Sequence, residues 1–173
     1  MPESRIAAVA TFVVLTVACA GLIAGVAALT DERIAENRAR EFRQNLVALT
    51  GSAAAAARLD WQDDVALLCP EQAILRGSAA GYGGDIRWLA AAALGTPPTL
   101  TGVRITAHQE TPGIADFLDS PDSGWLRGLA GRGAAGLAEV DAVSGATITS
   151  RALGRSLASA LRRPAVTEAG CEP

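Results

Sequence analysis

The chain has 173 residues, half of them apolar, but alanine and glycine supply many of these and aromatics are only 4%. All 15 basic residues are arginine and the net charge is -3, with no basic stripe interleaved with aromatics, which argues against nucleic acid as a partner. One histidine and three cysteines give little support to a zinc centre or a Cys/His nucleophile.

Residues 1–5 form a short N-terminal segment, and Ile6 to Leu29 follows as 24 residues without a charge. A helix of that length covers roughly 36 Å, enough to cross a hydrocarbon core about 30 Å thick with some tilt. A cleaved signal peptide would have an apolar region of only about 7 to 15 residues. A lipoprotein leader ending at Cys19 would not carry Thr16 where leucine is expected, nor continue apolar for ten residues more. The run is therefore read as an uncleaved transmembrane helix, residues 6–29, with Gly21 and Gly25 on a small-residue face that can approach another helix. Arg5 precedes it and Arg33, Arg38, Arg40 and Arg43 follow it, so charge bias alone would place the folded part in the cytoplasm.

Ala35, Ala39, Phe42, Leu46 and Leu49 recur at spacings of four and three, which predicts an amphipathic stem helix within residues 30–52, stopped by Thr50-Gly51-Ser52. Residues 53–163 are read as one domain and 164–173 as a tail. Alanines 53 to 57 begin a helical or irregular piece, and Trp61 through Cys69 is ambiguous. Ile86 to Ala93 and Val103 to His108 read as strands joined across Gly95-Thr96-Pro97-Pro98. Gly131 to Ala135 reads as a flexible surface loop. Leu153, Leu157, Ala160 and Leu161 keep helical spacing and predict a helix from about Thr149 to Leu161. No internal repeat or glycine-rich nucleotide fingerprint appears.

Chemistry concentrates just ahead of that last helix, in Asp141-Ala142-Val143-Ser144-Gly145-Ala146-Thr147-Ile148-Thr149-Ser150. Ser144 and Gly145 offer turn amides, and Gly145 can take positive φ and let a phosphate approach the main chain. The helix behind presents unpaired N–H groups and a positive dipole end. Taken alone, Ser/Thr ahead of an amphipathic run is also an ordinary capping signal. A second segment, Ile105-Thr106-Ala107-His108-Gln109-Glu110-Thr111-Pro112-Gly113, holds the only histidine beside an acid, and a third reads Gly81-Tyr82-Gly83-Gly84-Asp85-Ile86. A histidine at a strand end is most often a structural hydrogen-bonding group.

Together these segments resemble the covalent-FMN-binding domain family, in particular the RnfG type, the G component of Rnf-type ion-translocating electron transport complexes. The family's acceptor pattern is an acidic residue, two variable positions, Ser or Thr, then Gly-Ala-Thr, which falls on Asp141, Ser144, Gly145, Ala146 and Thr147. The His-x-Glu-Thr-Pro-Gly signature falls on His108, Glu110, Thr111, Pro112 and Gly113, and a Gly-Tyr-Gly-Gly turn enters the family's first sheet strand. The chain departs from the family after Pro112, reading Gly113-Ile114-Ala115-Asp116-Phe117-Leu118 where members continue Gly-Leu-Gly-Asp-Lys-Ile. Its interval from Asp116 to Asp141 is also shorter than usual and retains one tryptophan, Trp125.

The resemblance implies an α+β fold: an N-terminal transmembrane helix followed by a single FMN-binding domain with an antiparallel sheet flanked by helices. It implies FMN attached to Thr147 as a phosphoester by a separate flavin transferase, with Ser144, Gly145, Ala146, Asp141, Thr149, His108, Glu110, Thr111 and Gly113 near the cofactor. It further implies a bacterial inner-membrane protein with its flavin domain on the periplasmic side, against the charge count, relaying electrons among other membrane and iron–sulfur or flavin subunits. In that oxidising compartment Cys69 and Cys171 could pair. Alternatives are the C component of a sodium-pumping quinone reductase, a stand-alone flavin carrier, or a cofactor-free assembly subunit.

Overall fold

The computed structural model describes residues 2–168. It divides into two compact units, one ending at Glu41 and one beginning at Phe42. The first is helical throughout and belongs to α1, Pro2–Thr50. Its apolar side chains are exposed, and it is long and apolar enough to cross a membrane. Its threonines do not leave hydroxyls unsatisfied in an apolar setting: Thr11 Oγ1 donates to Ala7 O at 2.9 Å and Thr16 Oγ1 to Phe12 O at 2.8 Å. α1 ends as the sequence predicts, with Gly51 at φ +71° donating its N–H to Val47 O.

The second unit begins with the last residues of α1 and continues through α2 (Ala53–Ala57), whose N-terminal amides are capped by Ser52 Oγ. A five-stranded antiparallel meander follows: β1 (Trp61–Gln62), β2 (Val65–Leu68), β3 (Gln72–Ala80), β4 (Asp85–Ala93) and β5 (Thr99–Ala107), in that spatial order. The ambiguous stretch Trp61 to Cys69 is thus the first hairpin. β3 was not expected from sequence at all. Nor does the Gly81–Gly84 turn enter the first strand: it closes the β3–β4 hairpin, in which Ala80 pairs with Asp85 and Gln72 with Ala93.

Side chains of the strands alternate between two apolar layers. On one face Leu75, Ile86, Trp88, Ala90, Ala92 and Leu100 meet Leu153, Leu157 and Leu161 of α6 (Thr147–Leu161). On the other face Ile74, Leu89 and Ala91 meet Leu46 and Leu49 from the end of α1. The antiparallel sheet is therefore flanked by helix on both faces, the arrangement expected above. Trp88 is locked in place by its indole N–H, which donates to Ser156 Oγ at 3.1 Å, and by Gly77, where any Cβ would strike the ring.

Between β5 and α6 lie three short helices: α3 (Asp116–Asp119), α4 (Gly124–Arg127) and α5 (Ala134–Ala138). The segment expected as a flexible loop, Gly131 to Ala135, is instead pinned to β5. Gly131 donates to Leu100 O, Leu100 donates to Arg132 O, and Gly133 bridges Thr99 before α5 starts. α7 (Pro164–Thr167) follows α6 and buries Val166 in the core. Cys69 is disulfide-bonded, while its expected partner, Cys171, lies outside the described residues.

Candidate functional site

Glu110 organises the site. It is only 8% exposed, and both carboxylate oxygens accept hydrogen bonds: Oε1 from the Gly83 N–H at 2.9 Å and Oε2 from the Thr149 hydroxyl at 2.6 Å. Thr149 Oγ1 in turn accepts the Tyr82 N–H at 3.4 Å. One buried carboxylate thus joins the glycine turn, the His-x-Glu-Thr-Pro-Gly segment and the first turn of α6. The glycines permit this closeness: a Cβ on Gly81 would fall on Glu110 Oε1, and one on Gly83 on the Gln109 carbonyl.

His108 supports the arrangement from outside. Its Nδ1 accepts the Glu110 N–H at 3.2 Å, which places the proton of a neutral ring on Nε2, 2.8 Å from Asp119 Oδ1. Gly113, at φ +84°, donates its N–H to Asp116 Oδ1 at 2.6 Å and turns the chain so that Thr111 and Ile114 face the same hollow.

The Ser-Gly-Ala-Thr segment is held by its own main chain. Gly145 has φ +81°, as its position in the turn suggests, and Ala146 N–H donates to Val143 O at 3.0 Å. Ser150 Oγ donates to Ala146 O at 2.8 Å and accepts the Val143 N–H at 3.2 Å. α6 begins at Thr147, two residues earlier than the apolar spacing indicates, so Thr149 and Ser150 lie inside the helix, buried, and do not cap it. The spacing missed this start because Thr147 and Ile148 are exposed and add nothing to the apolar stripe.

These segments enclose a cavity of about 400 Å³, within the usual size range of small-molecule sites. Tyr82, Glu110, Thr111, Ile114 and residues 145–149 line it. Of the residues singled out from sequence, Glu110, Thr111, Gly145, Ala146, Thr147 and Thr149 reach the cavity. His108, Gly113, Asp141 and Ser144 do not line it, and Asp141 is engaged through its carbonyl, which accepts the Trp125 indole N–H at 2.8 Å. Trp125 itself packs edge-on against Phe117 rather than into the hollow.

Three lining residues were not singled out: Tyr82, Ile114 and Ile148, which are 77%, 53% and 56% exposed. Outside α1 they are the exposed large hydrophobics among the described residues, and all three rim one cavity. The available signal was their place inside or beside the motifs. Such a rim suits a flat apolar ring. The N–H groups of Thr147, Ile148 and Thr149 lack intrahelical carbonyls by helix geometry and suit an anionic group at the same mouth. The residues present therefore fit FMN. No group of metal-ligating side chains occurs among the described residues.

Comparison with known proteins agrees with this geometry. Residues 81–162 match the FMN-binding domain family. The chain is 42% identical over 84 residues to the G component of the ion-translocating oxidoreductase complex of Cereibacter sphaeroides, a match covering 42% of this chain and 37% of that protein. It is 36% identical over 101 residues to the component of that name from Pseudomonas aeruginosa, covering 51% of this chain and 46% of the relative. In Vibrio cholerae the corresponding figures are 36% over 84 residues, 42% and 39%. The match thus spans less than half the length of these curated relatives. Residues 81–162, the part of the chain that builds the cavity, are thus similar to the FMN-binding domain family and to the G component of the ion-translocating oxidoreductase complex.

Proposed function

We propose that this protein is a membrane-anchored electron carrier of an Rnf-type ion-translocating oxidoreductase complex, bearing FMN covalently on Thr147. Residues 6–29 would span the inner membrane once, with the flavin domain on the periplasmic side. The observation that carries the reading is the exposed Thr147 hydroxyl at the first residue of α6, beside an apolar-rimmed cavity. Ser150 and Thr149 are poorer acceptors because their hydroxyls are buried and already bonded. Ser144 is exposed but does not line the cavity.

Attachment is a group transfer from FAD, made by a separate transferase with Mg²⁺. The Thr147 oxygen forms a new bond to the FMN phosphorus, the pyrophosphate bond breaks, AMP leaves and the hydroxyl proton goes to solvent. In the product, α6 amides would bind the phosphate, Tyr82, Ile114 and Ile148 would hold the ring against water on one side, and Glu110 would keep the acceptor turn in place. Bound FMN supplies the redox chemistry; the chain supplies position and partners. Those partners would be the other membrane and iron–sulfur or flavin subunits of the complex.

Coexpression with a flavin transferase tests this directly. Protein mass should rise by that of FMN less one water, the label should survive denaturation, and it should map to the peptide containing Thr147. Thr147→Ala should abolish it. Full covalent flavin on Thr147→Ala, or none on the natural chain, would refute the assignment. Reporter fusions after Leu49 and after residue 173 test topology, and activity of a cytoplasm-only reporter at both would overturn the periplasmic placement.

A further inference from the structure

We infer that Arg151 is the countercharge for the phosphate attached at Thr147, an inference that rests on the attachment proposed above. A phosphodiester brings one negative charge to the mouth of a cavity whose lining contains a carboxylate, Glu110, and no cationic side chain. The end of α6 offers only about half an elementary charge in compensation. A further cation is therefore favourable, and the first eight residues of α6, 147–154, contain a single charged one, Arg151.

Its position suits the role. Thr147 and Arg151 are one turn apart on the same face of α6, and both are exposed. Helical side chains lean toward the N-terminus, so a residue at i+4 covers the turn that begins at i. From that position the Arg151 side chain can reach back toward Thr147. Its guanidinium is also uncommitted: among the described residues the ion pairs are Arg76 and Arg163 with Asp64, and His108 with Asp119. A planar fork of donors matches two phosphate oxygens at once, which a lysine ammonium does not. Arg155, one turn further along the same face and also exposed, is an internal control that the phosphate does not reach.

The test uses the full chain in detergent, made with and without the flavin transferase, as the natural sequence and as Arg151→Gln, Arg151→Lys and Arg155→Gln. Flavin per protein, the gain in Tm on flavin attachment, and the ³¹P resonance of the phosphodiester are measured at low and high salt. The gain in Tm should be about 1–4 °C smaller in Arg151→Gln at low salt, as expected for a partly exposed charge pair, with the difference shrinking at high salt. The ³¹P resonance should move in Arg151→Gln and less in Arg151→Lys, and Arg155→Gln should behave as the natural chain. Loss of loading in Arg151→Gln alone, restored by Arg151→Lys, also supports the role. Unchanged loading, Tm gain and ³¹P position in Arg151→Gln overturn it, as does an equal effect of Arg155→Gln. A natural chain without covalent flavin would instead refute the attachment itself.

Discussion

Glu110 and Thr149 lie 39 residues apart in sequence and share a 2.6 Å hydrogen bond in the interior. Thr149→Val keeps the shape and removes the donor, leaving Glu110 Oε2 buried with one bond fewer. We expect a loss of about 1–3 kcal/mol in urea unfolding, the cost of an unmet buried polar group. Glu110→Gln should cost a similar amount, because one amide oxygen cannot serve both the Thr149 hydroxyl and the Gly83 N–H. Both variants should also load less flavin. A stability change within about 0.5 kcal/mol, the scatter expected of a neutral surface change, would show that the clasp is incidental.

Gly83→Ala is expected to destabilise by about 1–3 kcal/mol, because its Cβ would press on the Gln109 carbonyl, a backbone atom that cannot swing aside. Gly124→Ala has open space around its Cβ and should be neutral or slightly stabilising. Denaturant midpoints of the two variants, measured side by side, distinguish close approach from a general intolerance of substitution.

Buried and exposed contacts should differ sharply in weight. Asp64 bonds Arg76 at 3.1 Å and lies 3.6 Å from Arg163, but all three side chains are at least a third exposed, so Asp64→Asn should cost less than about 1 kcal/mol. Leu157, wholly buried between α6 and the sheet, should cost about 2–5 kcal/mol on truncation to alanine. Equal losses in thermal or urea unfolding would contradict this ranking.

How legible this was in the sequence depended on how each element is buried. α6 was visible because one face is buried and Leu153, Leu157 and Leu161 mark it at helical spacing. β3 was not, because both of its faces are covered along Ala73-Ile74-Leu75 and it continues through Arg76, Gly77 and Ser78, so neither alternation nor strand-forming residues announce it. The Ser-Gly-Ala-Thr segment was readable because its pattern is local, three or four residues around one turn. Glu110 could be placed near the site, but its two bonds could not be foreseen, since they depend on Gly83 and Thr149 arriving from two other segments. Tyr82, Ile114 and Ile148 look like ordinary apolar residues until the fold brings them to one rim.

Leu46 and Leu49 make the end of α1 part of the sheet unit's core. A chain beginning at Phe42 should therefore unfold in one cooperative step by circular dichroism. One beginning at Gly51 exposes the face formed by Ile74, Leu89 and Ala91, and should have a lower midpoint or aggregate. Equal midpoints would show that the two leucines contribute nothing to the core.

The bonds of Ser150 to Val143 and Ala146 close the Ser-Gly-Ala-Thr turn without using the Thr147 side chain, on which no hydrogen bond among the described residues ends. The Thr147 hydroxyl is therefore carried like a fitting on a finished bracket: it can be removed, or exchanged for a serine hydroxyl, and the frame that presents it should stay where it is. Removal of that hydroxyl in Thr147→Ala should leave a folded protein, and it separates what the side chain does from what the scaffold does.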